Sequence, residues 1–370
     1  MESKEKKIIF ITLFITEKCL KIRNNFRHFS QAGFNKSLGL ISLIRNSGHQ
    51  VKVISPSLVN RKSFKFFPAF SEKSHDLELY HGSVWDIPGI HLLTSSLSIC
   101  FWLYKNRRSF EKIYFYNYRP ETALPAFFGH FILGKKIYLD YEDGYFQLKI
   151  NPILKWIINI LEKLGNRIIS GATVVHPNLI KRLNTKNVQI ILGIIDKNIL
   201  EHFSNLAPKS TSSKIVMYAG TLDEIRGVDL FLDLAEKWIK VYEGDYQFWI
   251  SGKGPLEKEV RAFQEKYPNK IKFFGIVPHD ELLRLYQQVD AFISLQKPQN
   301  KFSEVSFPSK VFEFLSTGKK VIGKEFSLGK NSIEEIFFEI GEIIGGKEKE
   351  KIIDEFLSKW KVDEIKIFET

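Results

Sequence analysis

The chain has 370 residues, long for one domain and comfortable for two. Apolar residues make up 44% and charged residues 26%, the balance of an ordinary soluble globular protein. Two cysteines, Cys19 and Cys100, exclude a disulfide framework or a zinc cluster and suit a reducing, cytoplasmic setting.

The formal charge of +12 suits nucleic acid, anionic lipid or phosphorylated substrates, and equally suits a lysine-rich solubilising surface. No stretch reaches the ~18 apolar residues of a membrane span. Residues 92–104 come nearest, but they are too few and carry several serines.

Helical and extended patterns alternate from end to end, which predicts parallel α/β architecture. Residues 8–15 are apolar, end in Thr16-Glu17-Lys18 and lack a small-residue cleavage site, so they read as a buried first strand and not a secretory signal. A helix is predicted over 34–45, closed by Gly48-His49, with a strand at 51–55. A strand at 112–116, a helix at 120–131, a strand at 136–140 and an amphipathic helix at 153–164 follow. Short strands at 172–176 and 188–192 complete a first doubly wound domain.

Residues 206–213 (LAPKSTSS) read as an interdomain linker. The alternation then restarts. Strands are predicted at 214–219, 246–251, 270–274, 291–295 and 320–322, and helices at 228–242, 256–267, 280–288 and 309–316. The expected division is 1–205, 206–345 and a C-terminal helical segment, 346–370, that packs back on the first domain.

Three segments carry chemistry. In FPSKVFEFLSTGKKVI, at 307–322, Pro308 opens a helix whose free N–H groups and dipole form an anion site. Ser309 and Lys310 stand at that end. Glu313 lies one turn further on the same face, placed to accept both ribose hydroxyls while phosphates sit at the helix end. A Pro-initiated amphipathic helix with a surface Lys–Glu pair fits the same letters. In GTLDEIRG, at 220–227, Gly220 and Thr221 follow a strand, where open α/β sheets bind ligands, and Arg226 can fork onto a pyrophosphate. An ordinary loop with a solvated arginine is the other reading. In SGKGP, at 251–255, Gly252 and Gly254 resemble the start of a phosphate loop without the full Walker spacing.

These pieces occur together and in order. The C-terminal half resembles the donor domain of the retaining GT-B glycosyltransferases, family 4 (group 1). Gly220, Arg226 and Gly227 fit the family's first turn, and 248–254 its strand and Gly-x-Gly turn. Residues 273–295 fit "F-x-G-x-V-P … L-x-x-x-Y-x-x-x-D-x-F-I-x-L". Residues 308–322 fit "P-S-K-x-F-E-x-L-x-x-G-K-x-V-I", the most specific block. In the N-terminal half, Gly48-His49 with Val51 and Val53, then Glu162, Arg167, Ala172 and Val174-Val175, fit the acceptor domain more loosely. The chain departs from the family in three places. Thr221 stands where an arginine is common. Val305, beside Glu304, stands where the first of two glutamates belongs. Residues 17–33 hold a single glycine, Gly33, with Lys18, Lys21, Arg23 and Arg27, in place of a glycine-rich loop.

The resemblance implies two facing Rossmann-like doubly wound domains with a cleft between them. A nucleoside diphosphate sugar, UDP- or GDP-linked, would lie in the second domain and a glycan or lipid-linked acceptor in the first. The reaction would be a hexosyltransferase-type transfer with retention, as in bacterial surface polysaccharide or lipopolysaccharide synthesis. Arg226 and Lys310 would be the phosphate cations, with Gly220, Thr221, Gly252, Gly254, Ser309 and Glu313 completing the donor site. Glu142 and Asp143, in DYEDG at 140–144, stand near the family's usual histidine and would orient donor sugar or acceptor; turn carboxylates fit there too. No Asp-x-Asp appears, so no metal and no cofactor beyond the donor is expected, nor is nucleic acid as a partner. Basic-aromatic segments at 60–67 and 102–108 make an anionic membrane surface a candidate partner, reached from the cytoplasmic side. Two rivals share much of this pattern: a sugar-nucleotide 2-epimerase of the same fold, and a non-enzymatic basic binding protein.

Overall fold

A computed structural model describes residues 7–23, 31–56, 59, 63–74, 76–142, 151–195, 197–205, 212–296, 305, 308–323 and 365–368. Asp143, Glu304, Arg27, Arg61 and Lys62 lie outside the described residues, as do 206–211 and most of the C-terminal segment. The chain divides into two compact units. One comprises Met1–Ile194, Glu304–Ser306 and Val362–Thr370, and the other Ile195–Ser303 and Phe307–Lys361.

The first unit opens with β1 (Lys7–Ile11), α1 (Glu17–Ile22), α2 (Gln31–Asn46), β2 (Gln50–Ser55), β3 (Phe66–Phe67), β4 (Phe70–Ser74), β5 (Leu77–His81) and β6 (Val84–Trp85). It continues with α3 (Ile90–Lys105), β7 (Lys112–Tyr116), α4 (Pro120–Phe131), β8 (Lys136–Tyr141), α5 (Pro152–Ile168), β9 (Gly171–Val174), α6 (Pro177–Ile180) and β10 (Val188–Ile190). Eight strands form one sheet in the order β10-β9-β8-β7-β1-β2-β5-β4. All its pairs are parallel except β4–β5. Central strands such as β1, buried from Ile8 to Ile11, show the unbroken apolar run of a parallel strand covered on both faces.

One sheet face is covered by α3, α4 and α5, through Leu103, Phe127 and Leu161 among others. The other face is covered by α2, with Ile365, Ile367 and Phe368 buried in the same cluster. The first strand is shorter than the apolar run 8–15 suggests. It stops at Ile11; Phe14 and Ile15 are buried without extending it, and Thr16 caps α1 by accepting from Cys19 N at 3.1 Å. Apolarity there reports burial, which a loop against the core satisfies as well as a strand. Arg23, in the segment replacing the expected glycine-rich loop, is almost wholly buried and donates to the carbonyls of Pro68 and Gly82, 3.0 Å each. It ties α1 to the β4–β5 edge.

The second unit runs α7 (Lys197–Ser204), β11 (Lys214–Ala219), α8 (Val228–Val241), β12 (Tyr246–Ser251), α9 (Glu257–Lys266), β13 (Ile271–Phe273), α10 (His279–Gln288), β14 (Ala291–Ser294), α11 (Lys310–Leu315) and β15 (Lys320–Gly323). Its five strands are all parallel, in the order β13-β12-β11-β14-β15. The winding direction reverses between β11 and β14. In open sheets of this kind the crevice beyond the carboxyl ends at that point receives ligands.

Candidate active site

The carboxyl ends of β11, β12 and β13 are knitted together by backbone bonds. Gly220 N donates to Ser251 O at 2.9 Å, and Gly252 N to Gly275 O at 2.8 Å. Leu222 N donates to Lys253 O, and Leu256 N back to Leu222 O. This explains two of the three glycines. Gly252 has φ +143, and a Cβ on it would stand 1.8 Å from Gly220 O; one on Gly254 would stand 2.3 Å from Leu222 O. Both are glycine because loop backbone crosses there, a requirement of the protein itself. Gly220 differs: a Cβ on it would meet nothing nearer than Tyr218 Oη at 3.7 Å. A side chain at Gly220 would thus make only ordinary contact, so no backbone crossing requires a glycine there. Thr221 next to it is exposed.

Arg226 sits at the start of α8, half-buried. Its amide donates to Asp223 Oδ1 at 2.7 Å, and its Nη1 donates to Gln296 Oε1 at 2.6 Å. Gln296 follows the end of β14, so this bond spans the point where the sheet reverses. Gly227, with φ +74, lets α8 begin against β14: a Cβ there would lie 1.9 Å from Leu295 O.

The helix at the most specific motif is short. It begins at Lys310 and ends at Leu315, one residue inside the expected 309–316 at each end. Ser309 is the N-cap, exposed, in helical conformation and without a side-chain capping bond. Pro308 O accepts from Val311 N at 3.1 Å and Ser309 O from Phe312 N at 3.2 Å, so the first turn is tightened by i→i+3 bonds. Lys310 Nζ lies 2.7 Å from Glu313 Oε1. Tyr286 Oη, from α10, donates to the same oxygen at 2.9 Å. The Tyr286 ring is fully buried against Phe292 and Phe314. Burial first, and the Glu313 carboxylate second, hold its hydroxyl well above the usual tyrosine range. It stays a donor at any physiological pH.

In the first unit, Glu142 directly follows β8 and its amide donates to Asn117 Oδ1 at 2.8 Å. Lys36, from α2, reaches Glu142 Oε1 at 3.3 Å and Asp140 Oδ1 at 3.6 Å. Asp140 is buried and accepts from Thr173 Oγ1 at 3.0 Å, and Thr173 in turn contacts the Tyr114 hydroxyl. Burial pushes the Asp140 carboxyl up to about 6; Lys36 opposes that shift and Glu142 adds to it.

The expected second-unit residues therefore fall into three groups, while Glu142 stands in the first unit with Lys36. Gly220, Thr221, Gly252 and Gly254 share the knitted loops. Arg226 bridges to β14. Lys310 and Glu313 meet directly, beside Ser309. Four residues were not foreseen. Tyr286 stands inside the 273–295 pattern, and Gln296 directly follows it. Asp140 opens the DYEDG segment. Lys36 gave no signal, since nothing distinguishes it in sequence from a surface lysine.

Residues 181–358 match the family model for glycosyl transferases group 1. That segment is similar to a glycosyltransferase family. The match takes in just under half of the chain and includes every second-unit residue named above. Solved structures extend the likeness to both units. A glycosyltransferase from Rickettsia africae is 13% identical with a TM-score of 0.64, covering 99% of this chain and 96% of that one. The Anabaena protein HepE, in complex with UDP, is 13% identical with a TM-score of 0.62, covering 98% and 96%. The catalytic domain of starch synthase IV from Arabidopsis thaliana, bound to ADP and acarbose, is 11% identical with a TM-score of 0.63, again covering 98% and 96%. The comparison with curated proteins finds no match. At these identities the likeness is one of fold, and that fold is GT-B, as the glycosyltransferase motifs predicted.

Proposed function

We propose that this protein transfers a sugar from a nucleoside diphosphate sugar to a glycan or lipid-linked acceptor, with retention and without a metal. The observation that carries the reading is the shared oxygen of Glu313, held by Lys310 and Tyr286 at the start of α11. A carboxylate fixed in this way is set to take ribose hydroxyls. The Lys310 ammonium and the Ser309 and Lys310 amides would receive the diphosphate, because the Val311 and Phe312 amides are already used. The space beside Gly220 would admit the nucleotide close to backbone, and Arg226 would meet the phosphates from the other side of the sheet reversal.

The leaving diphosphate gains negative charge along the reaction, so fixed cations lower the barrier more than they tighten the ground state. Glu142 would orient donor sugar or acceptor hydroxyl, with Lys36 holding its charge in place. UDP in the Anabaena structure and ADP in the Arabidopsis structure support a nucleoside diphosphate at this site. The resemblance to bacterial surface polysaccharide glycosyltransferases favours a place on the cytoplasmic side, in surface polysaccharide synthesis; among the described residues no helix is long and apolar enough to cross a membrane.

A thermal-shift panel of nucleotides tests this. UDP or GDP, with or without its sugar, is expected to raise the melting temperature in the presence of a chelator, because a ligand bound to the native state stabilises it by mass action. A strict need for magnesium or manganese, or no response to any nucleoside diphosphate, would overturn the reading.

A further inference from the structure

The helices α3, α4 and α5 lie side by side on one face of the first unit's sheet, α4 packing against both neighbours. A surface helix ordinarily turns polar residues outward. These three do not. On α3 the outward positions are Ile90, Leu93, Leu97, Phe101 and Tyr104, with Leu97 58% and Phe101 60% exposed. On α5 they include Ile153, Trp156 and Ile160, with Trp156 64% exposed. Phe131 and Ile132, at the end of α4, are exposed as well. Such an array is far more than scattered surface apolarity.

The charges on this face have one sign. The acidic residues of the three helices, Glu121 and Glu162, are both buried. The exposed charged residues on the helices are Lys105, Lys163 and Arg167, and Arg107 and Arg108 follow the end of α3. Along the flank of α5 opens a hollow of about 570 Å³ whose charged lining is Lys155, Lys163, Lys181, Arg182 and Glu162. Glu162 is already engaged by Arg182 at 2.6 Å, so the three lysines set the charge of the hollow.

We propose that this face docks on an anionic lipid bilayer, its apolar side chains entering the acyl boundary and the hollow beside α5 receiving lipid phosphates. Large apolar residues rimmed by lysine and arginine are the composition of an interfacial membrane surface. A second copy of the chain fits less well, since a two-fold pairing of this face would set its cations against themselves. The inference deepens the reading above, and only its consequence rests on that reading: a first unit seated on the bilayer would meet a lipid-linked acceptor at its source.

Co-sedimentation with vesicles of phosphatidylcholine, with and without phosphatidylglycerol, tests the proposal on the full chain. Binding is expected only with the anionic lipid and should weaken with salt, as exposed charges are screened over ~8 Å at physiological ionic strength. The double variant Leu97→Glu with Phe101→Glu should lose binding about tenfold or more, and Lys155→Glu with Lys163→Glu should do the same. All four side chains point to solvent or line the hollow, so melting curves and the UDP thermal shift should match the wild type. No binding to anionic vesicles, equal binding to neutral ones, or unchanged binding by both variants would overturn the proposal. So would a wild-type dimer, seen by analytical ultracentrifugation, that Leu97→Glu with Phe101→Glu dissolves. A wild type that binds vesicles but no nucleotide would leave this proposal standing and remove the sugar-transfer reading alone.

Discussion

The Tyr286 hydroxyl lies 2.9 Å from Glu313 Oε1, joining two helices through the same oxygen that Lys310 contacts at 2.7 Å. The tyrosine is anchored by its ring in the core and acts only through its hydroxyl. Tyr286→Phe should therefore fold normally and weaken nucleoside diphosphate binding by about three- to tenfold, the worth of one hydrogen bond of ~1 kcal/mol. Binding of inorganic pyrophosphate should hardly change. Isothermal titration with both ligands checks this, and equal losses would remove Tyr286 from the ribose end of the site.

Lys310 carries the largest expected effect. A charge-assisted bond to phosphate is worth roughly 1.5–3 kcal/mol, so Lys310→Ala should lower nucleotide affinity about ten- to a hundredfold. Turnover should fall at least as far. Lys310→Arg should recover more binding than rate. Because Lys310 also pairs with Glu313, the double variant with Glu313→Gln should lose less than the sum of the two single losses. Strict additivity in that cycle would show that the pair seen here plays no part in binding.

Gly252 and Gly220 should respond in opposite ways to alanine. Gly252→Ala places a methyl 1.8 Å from Gly220 O at a φ that alanine rarely adopts, and about 2–3 kcal/mol of stability should be lost. Gly220→Ala meets only ordinary contact distance and should keep its melting temperature while losing nucleotide affinity. Denaturant unfolding and a nucleotide titration on both variants separate the roles. A Gly220→Ala protein with full affinity would show that no ligand uses that space.

Asp140 predicts a pH dependence with a definite sign. Its carboxyl holds its proton to about pH 6 in the native state, against an ordinary value of 3.8. Between those values the native state binds more protons than the unfolded chain, so this group's contribution falls as pH rises. Lys36, Glu142 and Tyr114 face Asp140 and remain in the variant. Stability of the wild type relative to Asp140→Asn should thus decline from about pH 4 to pH 6 and then level off. Urea unfolding of both proteins across that range would show a rising or flat difference if the assignment is wrong.

Most of the second unit was legible in the sequence because its helices and strands are regular and its loops carry glycine and proline. The strands 214–219 and 246–251 coincide with β11 and β12. The helix 120–131 in the first unit is equally clean, with Pro120 at its first turn. The β3–β6 pair escaped, since Phe66–Phe67 and Val84–Trp85 are too short to show a period, and β4–β5 escaped because β4 (FSEKS) is mostly polar. Helix α3 read only as a failed membrane span, because its apolar residues fall on the outward as well as the buried side and show no single face. Lys36 and Asp140 meet across 104 positions of chain, and such a pairing leaves no trace in local spacing.

The loops beyond β11, β12 and β13 are tied backbone to backbone by the protein's own groups. A receptor of this kind has no segment there to order and no entropy of loop closure to surrender on binding. Capture of the nucleotide is then a matter of encounter and residence. Its association should follow a single kinetic phase, and substitutions around this floor should be felt in how long the nucleotide stays.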